Sequence, residues 1–345
     1  MEFVNEDAAI EKMSEYERRA WTQLISDMNR RGSGRPGFPF AKAGRWVMKR
    51  GKETWDAIPG SESVEVLVSR SLGAVLAVTV SQGLMSVDID RAVRKIARTN
   101  PAATTLVDVR ALDLSRCDVA GPRRRQGYAL VGALEGAGSS LAVTGAVVSS
   151  TVSGGVTAGV AIAAIAVDAM AILGGQGRIV GVVAASYGFD VRAPEEELFA
   201  LGVLSYASAT TAGGKAATLS SLSRLTQTMM RQPTWEQLSA DVLVNIVKTV
   251  YLKLGFKLTH EKLAQAIPIL GVIVNVGLNI DLSEQTFRRA TAAYRLRFLS
   301  GKYGIDPALW VVPEEMDTSG DSEGLAEDLP LIDKIIEDED KDKDT

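Results

Sequence analysis

The sequence predicts an all-α protein: a single multi-helix domain with a central Gly/Ala-rich helical hairpin and a disordered acidic C-terminal tail. Three observations predict it. Apolar residues recur at three- and four-residue spacing along most of the chain, and alternating strand patterns are scarce. Hydrophobic residues make up 46% of the 345 positions but aromatics only 6%, so the core must be built from Ala, Val, Leu and Ile. The expected divisions are 1–62 (N-terminal helices and a basic, aromatic-containing segment), 63–312 (the helical body) and 313–345 (the tail).

The first helix with a clear face is "EYERRAWTQLISDMNRR", Glu15 to Arg31, where Tyr16, Ala20, Leu24 and Met28 share one side with Trp21 and Ile25 beside them. "GSGRPGFP" breaks it. The stretch from Ser63 to about Arg98 reads as two helices ended by Asn100-Pro101. "LVDVRALDLSRCDVAGPRRRQGY" reads as short helices and turns. A helix ending in "IVGVVAASYGFD" closes on Gly188, and Pro194 with Glu195, Glu196 and Glu197 opens another that runs to Ser208. A further helix spans about Thr234 to Leu254. The final two are "EKLAQAIPILGVIVNVGLNIDLS" and "EQTFRRATAAYRLRFLSG".

Charge divides the chain. From Glu314 to Thr345 there are fourteen acids against Lys334, Lys341 and Lys343, a net of −11; the total of −4 therefore leaves the rest at +7. A basic body favours an anionic partner: lipid headgroups, nucleic acid or the tail itself. The tail is too acidic and too poor in apolar residues to fold alone. Within it "LPLIDKII" is an apolar island whose Leu329, Leu331, Ile332, Ile335 and Ile336 suit a short peptide that docks on a protein partner.

The basic residues concentrate in "RRGSGRPGFPFAKAGRWVMKRGK". Its eight cations (Arg30, Arg31, Arg35, Lys42, Arg45, Lys49, Arg50 and Lys52) interleave with Phe38, Phe40 and Trp46, with no acid among them. That is the composition of an interfacial lipid anchor. Arg123, Arg124 and Arg125 add a second cluster. The same features could hold single-stranded nucleic acid by stacking, the less favoured partner. A solvated helix face is the plain alternative.

The segment from Gly136 to Val167 has 32 residues and no charge, but only ten are Val, Leu or Ile; six are Gly, eight Ala and eight Ser or Thr. Insertion is driven by Leu, Ile, Phe and Val, so it reads as a buried helical hairpin, with entry into lipid the alternative. Gly132/Gly136, Gly155/Gly159 and Gly177/Gly181 are small-xxx-small pairs that permit close helix approach in either setting. The N-terminus has no apolar h-region, so a cytoplasmic location is expected, peripheral to the inner face of the membrane.

Catalytic signals are weak. The chain has one histidine, His260, and one cysteine, Cys117, and no Gly-x-Ser-x-Gly elbow, which leaves no nucleophile–base pair to propose. No His/Cys cluster suggests zinc, and a carboxylate-only site through Glu135, Asp168 and Asp190 has nothing to fix its geometry. "GGKAAT" and "GGQGRIVG" lack the strand that a phosphate loop or dinucleotide turn follows. No cofactor is expected. Glu135 and Asp168 lie in apolar surroundings and Asn275 and Asn279 sit one turn apart, so buried hydrogen-bonded bridges are the default reading. A pocket would draw on Tyr187, Asp190 and Lys215 as neighbours of those carboxylates.

The segment "AASYGFDVRAPEEELFALGVLSYAS" resembles the EcsC family, bacterial proteins named for one encoded beside an ABC transporter. Other segments agree in order: "LVDVRALDL" is similar to its lead-in, "ALEGAGSSLA" to the entry of a glycine hairpin, and "AIAVDAMAILGGQGRIVGVVAASYGFD" to its aspartate helix and Tyr-Gly-Phe-Asp turn. "IPILGVIVNVGLN" and a helix ending in "YRLRFL" complete it, over about residues 10–303. Two departures stand out. The family's Glu-Arg pair after the turn is replaced by "EEEL", so the salt bridge it implies is lost or supplied from elsewhere. The Gly-x-Gly-Gly of the hairpin is replaced by "GSSLA". The resemblance implies a helical fold and a transporter- or membrane-associated role, with no defined reaction.

The sequence thus favours a non-enzymatic, peripherally membrane-associated protein. The alternatives are an adaptor or client docking through its tail, and a hydrolase with a carboxylate and Tyr187 pocket.

Overall fold

A computed structural model describes residues 3–29, 79–121, 174–209, 212–231 and 272–311. The described part is helical, as the periodicity requires. In chain order it contains α1 (Glu6–Lys12), α2 (Glu15–Asn29), α3 (79–85), α4 (Ile89–Ala97), α5 (Leu106–Ala111), α6 (Leu114–Ala120), α7 (174–186), α8 (Pro194–Ser208), α9 (Ala212–Arg231) and α10 (Val272–Tyr303). A 3₁₀ turn, Pro307–Trp310, follows.

Local chemistry sets the helix starts. Ser14 and Glu17 form a capping box at α2: Glu17 N–H donates to Ser14 Oγ, and Ser14 N–H donates back to Glu17 Oε2. Thr105 and Asp108 do the same at α5, while Asn5, Asp88 and Asp113 cap α1, α4 and α6. Pro194 occupies the first turn of α8. The end of α7 needs Gly188. Its φ of +83° is the left-handed conformation that closes a Schellman turn, with Phe189 N–H donating to Ala184 O and Gly188 N–H to Ala185 O. A side chain there would also strike Leu106 O.

Helix α8 is central and buried on every side from Glu196 to Leu204, so it carries no polar face. It packs against α9 and α10, and Phe199, Tyr294, Leu299, Trp21 and Trp310 fill the same core. α2 lies along α10 and α6, so the N-terminal helices share that core. A single bridge, Val4 N–H to Gly304 O, ties the N-terminal segment to the end of α10.

Two elements differ from the sequence reading. The expected break between "NIDLS" and "EQTF" is absent: α10 runs unbroken for 32 residues. Ser283 is buried inside the helix rather than capping a new one, and no Gly or Pro interrupts the chain there. Helix α9 occupies a stretch, rich in Gly, Ser and Thr, to which the sequence reading assigns no element. Its hydroxyls bond to their own helix backbone, Ser221 to Ala217 O and Thr226 to Leu222 O, while Leu219, Leu222 and Leu225 face the core.

Gly177 and Gly181 do bring two helices together. A Cβ at Gly177 would lie 2.6 Å from Val80 O of α3, and one at Gly83 would lie 2.2 Å from Gly174 O. The rest of the glycine-rich hairpin, Gly132/Gly136 and Gly155/Gly159 included, lies outside the described residues, as do the helix expected at Thr234–Leu254 and the C-terminal tail. Among the described residues, no helix is long and apolar enough to cross a membrane.

Candidate functional site

A cleft of about 360 Å³ opens between α2 and α10. Its floor is apolar, with Leu24 and Phe287, and its walls carry Gln23 and Asp27 from α2 and Arg288, Thr291 and Arg295 from α10. The α10 residues align because positions i, i+3 and i+7 share a helix face.

Arg295 is the best-held of these groups. Its Nε donates to Asp118 Oδ1 at 3.1 Å, and an Nη lies 2.9 Å from Asp118 Oδ2. Asp118, from α6, also accepts from Tyr187 Oη at 2.6 Å and from Tyr16 Oη at 2.7 Å. Four elements therefore converge to fix one guanidinium. Burial works against its charge, but Tyr187 and Asp118 more than offset this and raise its pKa above the ordinary value. The Tyr187 hydroxyl moves well upward for the same reasons, burial first and the Asp118 charge next. It stays protonated and donates; it is no base at neutral pH.

Two further ion pairs surround this network. Arg297 and Glu196 pair in the interior, and the guanidinium lies 4.2 Å from the Phe199 ring centre and 4.9 Å from that of Phe189. Burial raises the Glu196 pKa although the Arg297 charge opposes it. Glu17, 1% exposed, accepts from Lys302 Nζ at 2.7 Å, Tyr303 Oη at 2.5 Å and Leu114 N at 3.0 Å. Burial alone would raise its pKa, but these donors outweigh it and hold the carboxyl below its ordinary value.

Of the residues the sequence proposed for a pocket, Tyr187 joins the Arg295 network. Asp190 instead pairs with Arg192 in the turn before α8, through bonds of 2.7 and 2.8 Å. Lys215 lies on α9, where burial and the nearby Arg289 lower its pKa. No hydrogen bond or ion pair joins Tyr187, Asp190 and Lys215. Glu135, Asp168, His260, Arg30–Lys52, Arg123–Arg125 and Leu329–Ile336 fall outside the described residues; Asn275 and Asn279 lie on α10, and their side chains are not among those described. Cys117 is fully buried, and burial pushes its thiol up to about 12, so it is no nucleophile.

Asp118, Arg288 and Arg295 were not singled out from the sequence, and Tyr16 was read only as part of a helix face. A signal existed in "YRLRFL": two arginines at alternate positions of an apolar helix must each find a carboxylate. They do, Arg295 at Asp118 and Arg297 at Glu196.

Residues 142–299 match the EcsC protein family. The match, over just under half of the chain, supports assigning it to the EcsC family. No curated protein and no solved structure matches it. The EcsC region includes Tyr187, Arg288, Arg295 and Arg297, whereas Tyr16 and Asp118 precede it. Glu196 of "EEEL" does find an arginine: Arg297 of α10 meets it across the core.

Proposed function

We propose that the protein is a non-enzymatic, peripherally membrane-associated helical protein that binds anionic lipid through Arg30–Lys52, assisted by Arg123, Arg124 and Arg125. The observation that carries this reading is the run of eight cations with Phe38, Phe40 and Trp46 and no acid, which begins directly after α2. Cations supply long-range attraction to anionic headgroups, and aromatic rings add interfacial burial. The hydrolase alternative draws less support from its described candidates: Asp190 is paired with Arg192, and the Tyr187 hydroxyl donates to Asp118. Co-sedimentation with vesicles tests the reading. Binding should appear with anionic vesicles, be weak with purely zwitterionic ones and fall as salt rises. Equal binding to both vesicle types would contradict it.

The apolar island at Leu329, Leu331, Ile332, Ile335 and Ile336 favours a second role, docking on a protein partner. A chain ending at Val312 should then keep lipid binding and lose the partner. Stronger lipid binding after truncation would identify the tail as a mask for its own basic segment instead.

A further inference from the structure

The α2–α10 cleft keeps an acid and a base on opposite walls without joining them. Asp27 and Arg288 both line it, yet neither makes an ion pair or a hydrogen bond, and the same holds for Gln23 and Thr291. Beside them stands Arg295, whose guanidinium is held by Asp118 and Tyr187 through Nε and one Nη while its other amino group makes no bond. Arg288 and Arg295 are two turns apart on one face of α10, with Thr291 between them. Arg295 is thus fixed, Arg288 and Thr291 are unpaired donors beside it for an oxyanion, and the α2 wall offers a carboxylate that suits a cation.

We infer that the cleft binds the phosphoethanolamine headgroup of a phospholipid, with its phosphate on Arg288, Thr291 and Arg295 and its ammonium on Asp27. Asp27 disfavours a bare phosphate ion, since a second negative charge in the cleft is repelled unless the ligand brings its own cation. The basic segment begins at Arg30, three residues after Asp27 in the sequence. A membrane held by that segment therefore meets the protein beside the cleft. The inference rests on the proposed membrane association only for the source of the headgroup; the chemistry of the cleft stands apart from it.

The test is calorimetric titration of the full chain with glycerophosphoethanolamine, glycerophosphate and inorganic phosphate as soluble probes. Glycerophosphoethanolamine should bind, and Arg288→Ser should weaken it at least tenfold, the loss of one charge-assisted bond. Arg288 is exposed and makes no internal bond, so this variant keeps its fold. Asp27→Asn should weaken glycerophosphoethanolamine but not glycerophosphate. Tyr16→Phe, which loosens the mounting of Arg295, should weaken both. Absence of glycerophosphoethanolamine binding, or binding unchanged in Arg288→Ser, overturns the inference. Vesicle binding separates the two proposals. If Arg288→Ser leaves both vesicle and soluble-probe binding intact while loss of the Arg30–Lys52 cations abolishes vesicle binding, the cleft is wrong and the basic segment right. Soluble-probe binding without vesicle binding is the reverse.

Discussion

Arg297 and Glu196 form a pair whose worth lies in not leaving one charge alone in the interior. Arg297→Met should destabilise the protein by about 3 kcal/mol or more, because Glu196 is then buried without its partner. The double variant Arg297→Met/Glu196→Gln should recover much of that loss, measured by urea unfolding at pH 7. Glu17 behaves differently, because its pKa is depressed in the fold. A depressed carboxyl contributes stability that is present above its unfolded value and is lost as pH falls through the folded one. Glu17→Gln should therefore be markedly less stable than the parent at pH 7, and the gap should narrow below about pH 4. A constant gap between pH 7 and pH 3 would show that the charge of Glu17 is irrelevant. The sequence made such residues hard to see. Glu17 stands at a helix start, and its partners Leu114, Lys302 and Tyr303 come from distant parts of the chain.

At the scale of elements, helix starts and ends were legible because they are local. Pro194 and Gly188 act within a few residues, so α8 begins and α7 ends where the pattern puts them. The unbroken α10 and the hydroxyl-rich α9 were less legible, since propensity cannot report that Ser283 is buried or that Thr226 bonds its own helix. The α3–α7 contact makes a contrast that tests packing directly. Gly177→Ala places a methyl group 2.6 Å from a backbone oxygen, so the helices must separate, at a cost of about 1–3 kcal/mol. Gly301 has no atom within 4 Å of the equivalent position, and Gly301→Ala should stabilise α10 by about 0.5 kcal/mol. Thermal unfolding of the two variants should shift in opposite directions. Equal tolerance would mean that α3 and α7 are not in backbone contact.

For the whole molecule, the fold class was readable from composition and periodicity, but the cleft was not. It is assembled from α2 and α10, with α6 and the end of α7 bracing Arg295, and those segments lie far apart in the chain. Charge division, by contrast, is a property of the sequence alone, and it carries the functional proposal. The most direct measurement is binding of a variant with Arg30, Arg31, Arg35, Lys49 and Arg50 replaced by Ser to anionic vesicles, alongside its circular dichroism spectrum. Each basic residue near such a surface contributes about 1 kcal/mol, so losing five should abolish sedimentation with the vesicles. The helical spectrum should be unchanged. Full binding by a correctly folded variant would contradict the account and leave Arg30–Lys52 as a solvated surface.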